Sequence, residues 1–175
     1  MGMALRKSRG PERGGGIETG AAESTGTASL STTVAVVTRP GLFREVLCHL
    51  LDEEPLLRLY GTASDEAGAR KLLLEGGAGV LLFDYESFGP EPEKVIARIA
   101  RFGEGPRVLV LARRCGPETV ERVLAAGAAG LVGKDLGFDP LVHAIQAVAA
   151  GKTWPNPHPD PEFSPPGRHS DPPLK

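Results

Sequence analysis

Between residues 33 and 151 the chain alternates between two hydrophobic periods. Short apolar runs stand at Thr33–Thr38 (TVAVVT), Leu56–Ala63 (LLRLYGTA), Gly79–Asp84 (GVLLFD), Arg107–Ala112 (RVLVLA) and Gly130–Lys134 (GLVGK). The first, third and fourth are nearly continuous in Val, Leu and Ala, the pattern of strands buried on both faces. Helical spacing fills the intervals. In Gly41–Glu54, Leu42, Phe43, Val46, Leu47, Leu50 and Leu51 recur as i, i+1, i+4, i+5, i+8 and i+9. Val120, Val123 and Leu124 follow i, i+3, i+4, and Leu141, Ala144, Ile145 and Val148 the fuller i, i+3, i+4, i+7. Ser64-Asp65-Glu66 makes a capped, acidic start for a helix ending near Gly76, and Gly127 stops another. Pro117 and Pro140 sit where first helical turns accept proline. Five strand–helix units predict an α/β fold, a doubly wound five-stranded parallel sheet covered on both faces. The flavodoxin-like type, with strand order 2-1-3-4-5, fits best.

Composition separates the two ends from this middle. Seven of the 23 glycines lie in residues 1–32, and eight of the 16 prolines lie in residues 152–175. Proline removes amide donors and fixes φ, which excludes helix and sheet from the last segment. The expected organisation is a disordered arm (1–32), one domain (33–151) and a Pro-rich disordered tail (152–175). Within the tail, PNPHPDP and SPP have the form of extended ligands for an aromatic groove, but an unstructured remnant is the plainer reading. Trp154 is expected to pack as a cap on the last helix.

Charge and cysteine usage exclude further classes. The three segments carry net charges of +1, −3 and 0, so no block is basic enough for nucleic acid. No apolar run approaches the roughly 18 residues needed to span a bilayer, and no h-region follows the early positive charges. Cys48 and Cys115 stand in no metal or redox spacing, and the four histidines show no ligand spacing. A cytoplasmic protein is expected. Gly14-Gly15-Gly16 lacks a preceding strand and a following lysine, and neither a nucleophile elbow nor a metal motif is present. No enzymatic activity is expected.

In a doubly wound sheet, ligands and chemistry collect at the carboxyl ends of the strands. That rule selects Thr38-Arg39, Asp84, Ala112-Arg113-Arg114 and Lys134-Asp135. On position alone, Asp84 could as well begin a loop and Lys134 be a solvated strand end. Their surroundings change that balance. GLFREVLCHLLDEEP, GVLLFD, RVLVLA, ERVLAAGAAGLVGKD and LVHAIQAVAAGKTW together resemble the receiver domain of two-component response regulators, of the LuxR/NarL-type branch. The resemblance runs over residues 33–154, and its most specific part is AAGAAGLVGKD followed by AIQAVAAGKTW.

What the resemblance implies is phosphoryl transfer to an aspartate carboxylate, with charge neutralised by Mg²⁺ and a lysine. Asp84 matches the phosphoacceptor position and Lys134 the lysine position. Other positions depart from the family pattern. Thr38 and Arg39 stand where the family carries an acidic pair, and Ala112 where it carries a hydroxyl. Arg113 replaces a small residue and Leu131 the aromatic switch residue. A guanidinium repels a divalent cation and does not deprotonate. At about 4 Å from a carboxylate it is worth roughly 4 kcal/mol at an effective dielectric of 20. Arg39 and Lys134 are therefore expected to hold Asp84 ionised, with Mg²⁺ binding lost or weak and no other cofactor. Glu86 is expected to point away along the chain.

The expected function is an atypical (pseudo-)receiver in a two-component or phosphorelay pathway, acting through protein contacts and on transcription only indirectly. Related regulators continue past the TW segment into a DNA-binding helix-turn-helix, whereas 21 residues follow Trp154 here. The expectation is therefore a stand-alone module without direct DNA binding. Its partner would be a second copy, a full-length response regulator or a histidine kinase, met through roughly residues 116–150. Two other readings compete. One is a metal-independent sensor of small anions or metabolites held by Arg39, Arg113, Arg114 and Lys134. The other is a conventional single-domain phosphoreceiver at Asp84.

Overall fold

The computed structural model describes residues 31–102 and 105–155. The readings of a disordered arm and tail fall almost wholly on residues 1–30 and 156–175, outside the described residues. In chain order the elements are β1 (Thr32–Val37), α1 (Leu42–Glu53), β2 (Leu57–Ala63), α2 (Glu66–Glu75) and β3 (Val80–Asp84). A 3₁₀ turn (Tyr85–Phe88), α3 (Pro92–Ala100), β4 (Arg107–Ala112), α4 (Pro117–Ala125), β5 (Gly130–Gly133) and α5 (Phe138–Ala149) follow. All neighbouring strands are parallel, in the order β2-β1-β3-β4-β5. The expected α/β doubly wound sheet is thus observed.

Period-two alternation divides the strand residues between two cores. Val34, Val36, Val80, Leu82, Leu109, Leu111 and Val132 face α1 and α5, packing on Leu47, Leu51, Leu141, Ile145 and Val148. Ala35, Val37, Leu81, Phe83, Val108, Val110 and Leu131 face α2, α3 and α4, against Ala69, Ile96, Ile99 and Val123. Local sequence explains the boundaries. The Asp65 side chain accepts a hydrogen bond from the Gly68 N–H at 2.7 Å to start α2, and Gly76 ends it at φ 70°. Pro92 and Pro117 open α3 and α4. Among the described residues, no helix is long and apolar enough to cross a membrane.

One expectation changes. Of the six apolar positions in the α1 pattern only Leu47 and Leu51 are buried, while Leu42 is 76% and Val46 48% exposed. The doubled stripe is wider than the face the sheet can cover. Trp154 packs its side chain against the α1/α5 core. Its backbone N–H donates to the Ala129 carbonyl (2.9 Å) and its carbonyl accepts from Leu131 N–H (3.0 Å), forming a parallel bridge opposite Gly130. The outer edge of β5 otherwise offers unpaired backbone groups, and this bridge satisfies two of them.

Gly130 permits that approach. A Cβ there would lie 2.4 Å from the Trp154 carbonyl oxygen. Gly130→Ala is expected to displace Trp154 and lower the unfolding free energy by about 1–3 kcal/mol, read by urea titration. Unchanged stability would mean the bridge contributes nothing to the fold.

Candidate functional site

The same alternation assembles a polar site at the carboxyl end of the sheet. Thr38 continues the parity of Val34 and Val36, and Asp84 that of Val80 and Leu82, so both belong to the α1/α5 side. Lys134 follows β5 with the parity of Val132, its N–H bonded to the Ala112 carbonyl at 2.9 Å. Thr38 and Asp84 are buried, at 2% and 6% exposure.

Asp84 is the centre of this arrangement. Its Oδ1 accepts from Lys134 Nζ at 2.5 Å, and its Oδ2 accepts from Thr38 Oγ1 and Ser87 Oγ, each at 2.6 Å. Ser87 is a functional position that sequence reasoning missed. The 3₁₀ turn returns it beneath Asp84, because residues three apart eclipse in that geometry. Its Oγ also accepts from the Arg39 N–H at 3.1 Å. The turn is closed by Phe88, whose ring stacks on Phe83 with centroids 4.5 Å apart. A serine three residues after the aspartate, two before Gly89, was the available clue.

Glu86 overturns its expectation. An extended chain would have turned its side chain away, but the 3₁₀ turn redirects it into the site. Its Oε1 accepts from the Arg113 N–H at 2.7 Å, and its Oε2 lies 2.8 Å from Lys134 Nζ. That second oxygen is buried and takes no hydrogen bond, so the ammonium neutralises it through charge alone. Lys134 therefore stands between two carboxylates. It also lies 4.4 Å from the centroid of the Phe43 ring at the start of α1, a cation–π contact.

The remaining candidates separate. Arg39 reaches the site only through its backbone, and its exposed side chain forms no ion pair with Asp84. Lys134, not Arg39, carries the charge opposite the carboxylate. Ala112 and Leu131 are buried in the α2/α3/α4 core, on the face opposite Asp84. Arg113 and Arg114 line a different cleft with Tyr85, Glu86, Gly89, Thr119 and Arg122. Arg39, Arg113, Arg114 and Lys134 thus do not ring a single pocket.

Electrostatics follow from these contacts. Burial pushes the Asp84 carboxyl up, but hydrogen bonds from Lys134, Ser87 and Thr38 outweigh it and hold the pKa below the usual aspartate value. To act as a nucleophile, Asp84 would have to give up one of these partners. Among the described residues, no group of three or more His, Cys, Asp or Glu is placed to hold a metal ion.

Comparisons with known proteins give a consistent picture. No family model matches the chain. It is 31% identical over 111 residues to the probable transcriptional regulatory protein NarL of two Mycobacterium tuberculosis strains, CDC 1551 and H37Rv. The match covers 63% of this chain and 51% of each relative, so the chain spans about half the length of these curated relatives. The signal receiver domain of the putative response regulator NarL from M. tuberculosis is similar in structure, with TM-score 0.63 and 30% identity. That similarity covers 70% of this chain and 98% of the receiver domain. A LuxR-family two-component response regulator from Aurantimonas sp. SI85-9A1 shares the fold, with TM-score 0.64 and 24% identity over 70% of this chain and 88% of that one.

Two variants test the charge arrangement. Lys134→Met leaves the buried Asp84 and the half-buried Glu86 without their cation and is expected to cost about 3–5 kcal/mol near neutral pH. Asp84→Asn probes acid sensitivity. Because the native pKa is lowered, the contribution of the charged Asp84 is complete above the ordinary aspartate value of about 3.9. It is lost as pH falls through the lower native value. Urea unfolding across pH should show the gap between wild type and D84N shrinking in acid. A constant gap would show that ionised Asp84 does not stabilise the fold.

Proposed function

The chain belongs to the receiver-domain family of LuxR/NarL-type response regulators. On that premise we propose that it is an atypical receiver in two-component signalling. It works through protein contacts, with its pocket held closed by its own side chains, and not through ordinary Mg²⁺-dependent phosphorylation of Asp84. The observation that carries this reading is the full engagement of Asp84 by Lys134, Thr38 and Ser87.

The surroundings support it. A hydroxyl-bearing and a guanidinium-bearing residue, Thr38 and Arg39, occupy the end of β1 where the family's two carboxylates are expected. Glu86 holds its carboxylate between Lys134 and the Arg113 N–H, filling space beside Asp84 that an incoming phosphoryl group would need. Ala112 offers no hydroxyl to receive such a group. The donor set does not fit Mg²⁺, which wants an octahedron of oxygens from one or two carboxylates, phosphate and water. Here an ammonium already lies against both carboxylates.

A pocket closed in this way leaves the surface from 116 to 150 as the route to a partner. Lys134 and the Arg113 backbone join that surface to the pocket. A second copy, a full-length response regulator or a histidine kinase is the kind of partner it would meet.

Incubation with acetyl phosphate and Mg²⁺, followed by intact-mass analysis, tests the reading. The wild type is expected to remain unmodified, and T38D/R39D to gain measurable labelling as two carboxylates return. Stoichiometric, hydroxylamine-labile modification of wild-type Asp84 would overturn the reading and make the chain a conventional phosphoreceiver.

A further inference from the structure

A second concave surface lies beside the Asp84 site. The 3₁₀ turn after β3 forms one wall, with Tyr85, Glu86 and Gly89. Arg113 and Arg114, in the loop after β4, and Thr119 and Arg122, on the first turns of α4, form the other. The cleft measures about 800 Å³, within the roughly 300–1,000 Å³ range of small-molecule sites.

Its charge is unbalanced. Three arginines line it, and among the described residues the side chains of Arg113 and Arg114 take no hydrogen bond or ion pair. Arg122 has only loose partners, Glu93 at 3.4 Å and Glu118 at 3.7 Å. The carboxylate within the cleft, that of Glu86, is already used by the Arg113 backbone N–H and by Lys134. It neutralises neither free arginine side chain. Tyr85 adds no negative charge. Burial, and then the hydrogen bond it donates to Glu93 at 2.5 Å, push its pKa up to about 12.

Guanidinium forks match the oxygens of phosphate and of carboxylate through paired N–H···O bonds, and three cations on one cleft favour the more highly charged phosphate. We propose that this cleft binds a small organic phosphate, held by Arg113, Arg114 and Arg122, with the Thr119 hydroxyl on the same wall. The site is distinct from Asp84, which faces the α1/α5 side and keeps its own partners. It does not depend on the closed-pocket reading, since the contacts of Asp84 are with Lys134, Thr38 and Ser87 and not with these three side chains. Bound there, the ligand would bridge the β3 turn to α4, within the 116–150 surface.

The test is a nuclear magnetic resonance titration of the full chain with pyrophosphate and with ADP at physiological salt. Saturable shifts are expected at Arg113, Arg114 and Thr119 with at least one probe. R113A/R114A should weaken binding about tenfold or more, a loss of about 1.4 kcal/mol. R58A/R101A, which removes the same charge from exposed positions elsewhere, should leave binding unchanged. The absence of saturable shifts with both probes would overturn the proposal. So would equal weakening in R58A/R101A, or shifts centred on Asp84 and Arg39.

Discussion

The Lys134 ammonium is the charge around which the carboxyl end of the sheet is organised. Asp84 and Glu86 place carboxylate oxygens 2.5 and 2.8 Å from it. Two carboxylates sharing a partly dry site repel, and the ammonium between them offsets that repulsion. The Phe43 ring covers the third side of the ammonium. Each contact comes from a different part of the chain. Thr38 follows β1, Asp84 ends β3, Arg113 follows β4 and Lys134 follows β5, so four of the five strands meet at one charge cluster.

This arrangement gives the pocket a settled internal chemistry. Thr38 and Ser87 donate to one Asp84 oxygen and Lys134 to the other, while Glu86 lies alongside, against Lys134 and the Arg113 N–H. Arg113 links that pocket to the neighbouring cleft. Its backbone N–H faces inward to Glu86, and its side chain lines the cleft with Arg114 and Arg122. An anion captured in the cleft would therefore touch the same loop that the Asp84 site already holds.

Much of the fold was legible because buried parallel strands are nearly continuous in Val and Leu. The run RVLVLA coincides with β4, and the other strands begin or end within one residue of their apolar runs. Asp65, Gly76 and Gly127 marked helix ends because caps and positive φ leave strong local preferences. Asp84 and Lys134 were legible from their place at strand ends. Glu86 and Ser87 were not, because their roles depend on a 3₁₀ turn in place of an extended exit from β3. The Arg39–Asp84 pairing failed for a related reason, since adjacency at a strand end places a backbone and leaves a long side chain undetermined. The Trp154 bridge to β5 was not legible because a one-residue bridge has no periodicity to read.

By itself, then, the sequence determined the strand–helix series, the two faces of each strand and the residues delivered to the carboxyl end. Those properties follow from local periodicity, and a period of two decides sidedness without knowledge of the neighbours. Only the tertiary structure decided which delivered groups meet. It joined Lys134 to two carboxylates separated from it by about fifty positions, sent Arg113 and Arg114 to a second cleft, and laid Trp154 on the edge of β5. Hydrogen bonds and ion pairs act over a few ångströms, and such distances between remote residues exist only once the chain is packed.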